Sequence, residues 1–178
     1  MMKRLKRLTF SLIFILHVTG IFVNAQSGTP VSATGHVFAE IIPVFSASET
    51  SQLNFGRFSP GPQGGLIILT PQNTISVIGS VFKGIGSHNA ASFYVSGDAN
   101  AAYSISLPVN PVVLTHTSNA KTMLIQDWES VPQQGIGTGT LQEGFQVVYI
   151  GATLKVGTLY DNPVGIYTGT YTVTFDFN

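Results

Sequence analysis

Residues 167–178 set the strongest constraint on this chain. Tyr167, Tyr171, Val173, Phe175 and Phe177 share one parity, and Thr168, Thr170, Thr172, Thr174, Asp176 and Asn178 share the other. Successive side chains of a strand point to opposite faces, so this period of two predicts a half-buried antiparallel strand with an aromatic packed face and a hydroxylated wet face. The stretch contains neither Pro nor Lys, two of the residues that guard a free sheet edge. It is therefore also expected to offer an edge to another copy or to another envelope protein.

The preceding chain reads as further short strands. Val37, Phe38, Ile41, Ile42, Val44 and Phe45 predict a first strand, with Pro43 marking an edge or bulge. Residues 46–52 read as a polar connection, after which Leu53 and Phe55, and with them Arg57, return to one face. Residues 59–65 hold two prolines and three glycines and predict a loop. Residues 66–69 and 75–82 predict strands, the second broken by Gly79. Ala91, Phe93 and Val95 alternate with Ser92, Tyr94 and Ser96; turn residues 97–100 follow, and then Tyr103, Ile105 and Leu107 alternate with serines. That pattern predicts a hairpin. Residues 112–115 and 122–128 continue the series, whereas residues 131–140 look unstructured. Phe145, Val147 and Tyr149 share one parity and Ile150, Ala152, Leu154 and Val156 the other, which predicts a bulge or corner near residues 148–151. Residues 157–163 then turn into the last strand. No stretch sustains a helical period, and strands recurring every ~8–12 residues predict an all-β, Ig-like antiparallel β-sandwich.

The other end carries a different signal. Lys3, Arg4, Lys6 and Arg7 precede an apolar run from Leu8 to Val23, and Val23-Asn24-Ala25 supplies apolar or small residues three and one before a cut. This is the pattern of a cleavable signal peptide. The expected organisation is a signal peptide over 1–25, a short leader over 26–33 and a β-sandwich domain over 34–178. After cleavage Arg57, Lys83, Lys121 and Lys155 remain against eight acidic residues, a formal charge of −4. So sparse a set of cations excludes nucleic acid and anionic lipid as expected partners. The chain has no cysteine, so an exported domain of this sequence must be held by its core without disulfides.

Seven phrases, in order, carry a resemblance: Val31-Ser32-Ala33-Thr34-Gly35, Leu53-Asn54-Phe55-Gly56-Arg57-Phe58, Gly64-Gly65, Phe93-Tyr94-Val95-Ser96-Gly97, Tyr103-Ser104-Ile105-Ser106-Leu107-Pro108, Gly151-Ala152-Thr153-Leu154 with Val156-Gly157, and Tyr167-Thr168-Gly169-Thr170-Tyr171. Together they resemble the secreted bacterial proteins of the domain of unknown function 4402 family, which is distantly similar to spore-coat-U-type and fimbrial-subunit domains. The resemblance implies an Ig-like sandwich and an exported surface or assembly role, and brings no catalytic residue with it. The chain departs from fimbrial subunits in lacking their cysteine pair, and residues 26–33 lack the alternating apolar pattern of a donated strand.

Candidate chemistry is thin. His36, His88 and His116 fit no short metal-ligand spacing and read as loop or solvent-facing histidines. Asp127 and Glu129 flank Trp128, a set that invites a glycosidase reading, but in a strand Trp128 would point away from the pair and into the core. Gly135-Ile136-Gly137-Thr138-Gly139 lacks the Lys and the following helix of a phosphate loop and reads as a surface loop. Tyr94 and Tyr160 are candidates for stacking on sugars. No catalytic, cofactor-binding or metal-binding residue is assigned, and no cofactor is expected. The expected role is a non-enzymatic structural or surface-assembly protein of a bacterial envelope, secreted to the outer surface or periplasm; the alternative is a carbohydrate- or protein-binding module at the cell surface. The leader pattern makes a direct prediction: intact-mass measurement of the exported protein should give a chain beginning at Gln26, and a membrane-retained species still carrying residues 1–25 would contradict it.

Overall fold

The computed structural model describes residues 31–177; the expected signal peptide and the first part of the leader lie outside the described residues. The chain divides into Met1–Ala39 and Glu40–Asn178. Of the first unit, residues 31–39 are described, and they form neither strand nor helix. The second unit holds eleven strands: β1 Ser46–Ser51, β2 Phe58–Leu69, β3 Ile75–Lys83, β4 Ala91–Ser96, β5 Ala102–Ser106, β6 Val112–His116, β7 Thr122–Val131, β8 Gly135–Thr140, β9 Phe145–Val156, β10 Tyr167–Thr168 and β11 Thr174–Phe177. There is no helix among the described residues.

Eight strands form one sheet in the order β1-β4-β9-β7-β6-β10, with β2 on β9 and β3 on β2; β11-β5-β8 form the second. Every pairing is antiparallel. The protein is an all-β antiparallel sandwich. Its core lies between the inner faces of the two sheets, where Ile67, Leu69, Val95, Val148, Ile150 and Leu154 of the large sheet are buried together with Tyr103 and Ile105 of the small one.

The last stretch keeps its alternation. Tyr167, Tyr171, Val173 and Phe175 are half-buried against the core while their threonine neighbours are exposed. It is not one strand, however. Tyr167–Thr168 pairs with β6 of the large sheet, and Thr174–Phe177 pairs with β5 of the small one. The aromatic side chains make this crossover pack: Tyr171 and Phe175 both contact Phe93 of β4, and Phe175 also reaches Tyr103 of β5.

Several local expectations are corrected. Residues 37–45 form no strand; the strand begins at Ser46, in the stretch that reads as a polar connection. Backbone pairing does not depend on apolar side chains, and here hydroxyls add to it: Ser46 Oγ lies 3.0 Å from Ser96 Oγ and Thr50 Oγ1 2.8 Å from Ser92 Oγ. Residues 59–65 belong to β2, their prolines and glycines accommodated in an irregularity between Pro60 and Gly64. β4 and β5 are not a hairpin. Both edges of β4 are taken, by β1 and β9, so residues 97–101 carry the chain across to the other sheet.

The glycine run 135–139 is strand β8, not a loop. Gly139 lies flat under the ring of Tyr103, where a Cβ would collide with the ring carbons. β9 shows no phase change: Val148, Ile150, Ala152, Leu154 and Val156 all face inward, and Phe145 and Tyr149 stand on the outer face. The irregularity lies instead in its partner β7, between Gln126 and Glu129.

Burial makes the stability prediction. Ile150, fully buried in β9, should lose about 2–5 kcal/mol on replacement by Ala, whereas exposed Thr172→Asp should cost about 0.5 kcal/mol or less, both read from denaturant unfolding.

Candidate functional site

The small sheet has three strands against eight. Part of the large sheet's inner face is left facing a groove, a cavity of about 1130 Å³. Its floor is apolar: Val112 and Leu114 of β6, Met123 and Ile125 of β7, and Leu154 of β9. One wall is the connection from β1 to β2, residues 52–57. There Asn54 and Asn89 exchange both backbone hydrogen bonds at 2.9 Å, the Asn54 side chain accepts from the Gly56 N–H at 2.8 Å, and the Arg57 carbonyl accepts from the Gly84 N–H at 2.8 Å.

The other wall is residues 159–171, and two buried polar side chains fix its shape. Asn162 accepts from the Gly157 N–H at 2.6 Å and donates through Nδ2 to the Thr122 carbonyl at 2.7 Å, tying the turn after β9 to the start of β7. His116 is buried, which corrects its reading as a solvent-facing histidine. Its Nδ1 accepts from the Ser118 N–H at 2.9 Å, so Nε2 carries the proton and donates to the Val164 carbonyl at 3.1 Å. Tyr167 packs edge-on to the imidazole at 4.9 Å and donates its hydroxyl to Pro163 O at 2.9 Å. At the turn itself Asp161 accepts from the hydroxyl and the N–H of Thr158, and these bonds hold its carboxyl below the usual range.

The charged residues lining the groove are Glu49 and Arg57. Tyr171 also lines it, and its hydroxyl is buried without a hydrogen-bond partner. Burial, and secondarily the Glu49 carboxylate, push that phenol's pKa up. Trp128 Nε1 is likewise buried and unpartnered, with its ring 4.7 Å from Tyr171. Trp128 thus sits in the core, opposite to exposed Asp127 and Glu129 as expected, although it is the irregularity between Gln126 and Glu129 that turns it to the side of Met123 and Ile125.

The other sequence candidates are not gathered here. Asp127 is exposed at the irregularity of β7 with φ 50°, and Glu129 is exposed one residue beyond Trp128. His36 is exposed, and His88 is half-buried in a loop with Nε2 3.2 Å from the Asn73 carbonyl. Among the described residues no three His, Cys, Asp or Glu side chains cluster to hold a metal, and no helix is long and apolar enough to cross a membrane.

A family model described as Domain of unknown function (DUF4402) matches residues 45–177. The chain belongs to this family. No curated protein and no solved structure matches it. The matched span of the DUF4402 domain contains all eleven strands and every residue that lines the groove.

A second surface of the DUF4402 domain involves one of the tyrosines singled out by sequence. Tyr94 of β4 stacks on Phe145 of β9 at 5.7 Å and 17°, both rings partly exposed on the outer face of the large sheet, with Tyr149 exposed on the same face. Tyr160 stands exposed with Lys121 Nζ 4.6 Å from its ring centroid. Of the two groove-fixing residues, sequence reasoning passed over Asn162 and read His116 as a solvent-facing or loop histidine. Only the Asp161-Asn162-Pro163 turn signal pointed near either.

The buried phenols make an alkaline prediction. Tyr103, fully buried and donating to Gln146 Oε1 at 2.7 Å, has its pKa pushed up to about 12 by burial, and Tyr171 is also raised. In the unfolded chain a phenol titrates near ~10. Both tyrosines therefore contribute stability that is complete below about pH 10 and is lost as pH climbs through the folded-state values. Melting temperature should fall steeply from pH 10 to 12. Tyr171→Phe, which removes an unpaired buried hydroxyl, should be neutral or stabilising at pH 7 and should shrink that alkaline loss.

Proposed function

We propose that this domain is a non-enzymatic structural or surface-assembly protein of a bacterial envelope, fimbrial-subunit-like and adhesion-related, exported by its leader and joined to further copies along an open strand edge. The observation that supports this most is β11. It pairs with β5 on one side only, and Thr174 and Asp176 stand exposed along it without Pro or Lys to guard the free edge. The polar groups of the groove are spent on holding its walls rather than converging on one point, which favours an assembly role over an enzyme.

The alternative, a carbohydrate- or protein-binding module, draws its support from the outer face. Tyr94, Phe145 and Tyr149 offer partly exposed aromatic rings there, a surface suited to stacking against a sugar or an apolar side chain.

Analytical ultracentrifugation of the exported protein across a wide concentration range tests the assembly reading. Oligomers that grow with concentration are expected, and a Thr174→Lys, Asp176→Lys variant should remain folded but associate more weakly. A protein that stays monomeric throughout would overturn assembly and make the binding module the better account, to be tested on a glycan array with Tyr94→Ala and Phe145→Ala as controls.

A further inference from the structure

We propose that the groove receives, by strand addition, the apolar segment of residues 37–44 from a second copy of the chain. This rests on the assembly reading and names its contact.

The segment stands uncovered by the described residues. Val37, Phe38, Ile41, Ile42 and Val44 are exposed by 63–98% and lie outside every ladder. Their side chains present on the order of 700 Å² of apolar surface, close to the ~800 Å² per partner of a standard protein interface. So large a contiguous apolar stretch is an interaction site in a soluble protein rather than ordinary surface.

The groove has the form that an extended chain requires. Its volume exceeds the ~300–1,000 Å³ typical of small-molecule pockets, and its floor is a sheet face of aliphatic side chains. Along one wall residues 169–173 alternate as a strand does, yet they fall between the ladders of β10 and β11. Among the described residues no backbone hydrogen bond outside those ladders involves them. Along the other wall, among the described residues, 52–57 make backbone hydrogen bonds to other segments at Asn54 and Arg57, while Leu53 and Phe55 pack on the core. Strand addition draws affinity from free main-chain groups and register from side-chain pockets, and the groove supplies both. The open edge of β11, already proposed as the assembly edge, continues directly into residues 169–173.

Glu40 is the one formally charged residue of the segment, and the groove is lined by one cation, Arg57, and one anion, Glu49, so the segment meets no net charge there. Because segment and groove are different surfaces of one chain, a one-way contact is heterologous, and its repetition passes from copy to copy into an array unless the rotation closes a ring.

The test uses the exported protein and an Ile41→Asp, Ile42→Asp variant, whose substitutions fall on exposed side chains and spare the core. Sedimentation should show association weakened about tenfold or more in the variant. A synthetic peptide of residues 35–45 titrated into that variant should bind one to one and shift the emission of Trp128, the chain's single tryptophan, which stacks on Tyr171 in the groove wall. A scrambled peptide should do neither. If wild type associates and the variant associates equally well, or if the peptide binds without changing Trp128 emission, the groove contact is wrong while assembly stands. If wild type is monomeric at every concentration, the assembly reading falls and this contact with it.

Discussion

Strand β9 is the constraint on which the rest of the sandwich depends. Over twelve residues it keeps one edge against β7 and divides the other between β4, which pairs with residues 145–150, and β2, which pairs with residues 152–156. Gly151 sits at the changeover. A Cβ there would run into the Leu69 carbonyl and the backbone of residues 70–71, so only glycine lets β2 approach closely enough to take over where β4 ends. With both edges satisfied, the inward row Val148, Ile150, Ala152, Leu154 and Val156 is held in register against the core. No disulfide is available to share that task, so the stability of the fold rests on this strand and the residues packed on it.

The imbalance between the sheets follows from how the chain uses its aromatic residues. Three short strands cannot cover an eight-stranded face, and the terminal segment partly compensates by sending side chains across the gap. Tyr171 packs on Phe93 and Trp128, Phe175 on Phe93 and Tyr103, and Phe177 on Phe45. These rings close one part of the interlayer space. Beyond them, over the aliphatic row of Val112, Leu114, Met123 and Ile125 on β6 and β7, the groove is what remains. Its walls persist because Asn162 and His116 anchor them to strand β7 and to the end of β6, which makes the groove a built feature and not a packing defect.

The all-β class was legible because polarity alternates wherever a strand has one wet face, as in residues 91–96 and 167–177. It was misread where pairing depends on backbone alone. β1 is six small or polar residues whose hydroxyls and amides pair with β4, and no apolar period marks it. β8 is glycine-rich because the Tyr103 ring requires a bare backbone beside it, a tertiary reason absent from local composition. The expected hairpin failed because turn residues 97–100 specify a reversal of direction and say nothing about which sheet the chain enters next. The groove was not legible, because it is formed by segments far apart in sequence, residues 52–57 and 159–171. His116 looked like a surface residue because its burial depends on Val164 and Tyr167, some fifty positions later.

The misreading of residues 37–45 has a different cause. The apolar density that predicts a strand is present, but in the folded chain these side chains meet no inner face of their own. Phe45 alone is drawn in, against Tyr103 and Phe177. A strand-like sequence that forms no strand within its own fold, and a groove walled by backbone outside any ladder, are two incomplete halves of the proposed interaction. Completing it within one domain would leave the protein monomeric. Completing it between domains converts the same burial, at ~25 cal/mol per Å² before association costs, into a link in a chain of subunits. Local sequence thus predicts a strand over a segment that forms none in its own fold, and under the proposed contact that strand would be completed on another molecule.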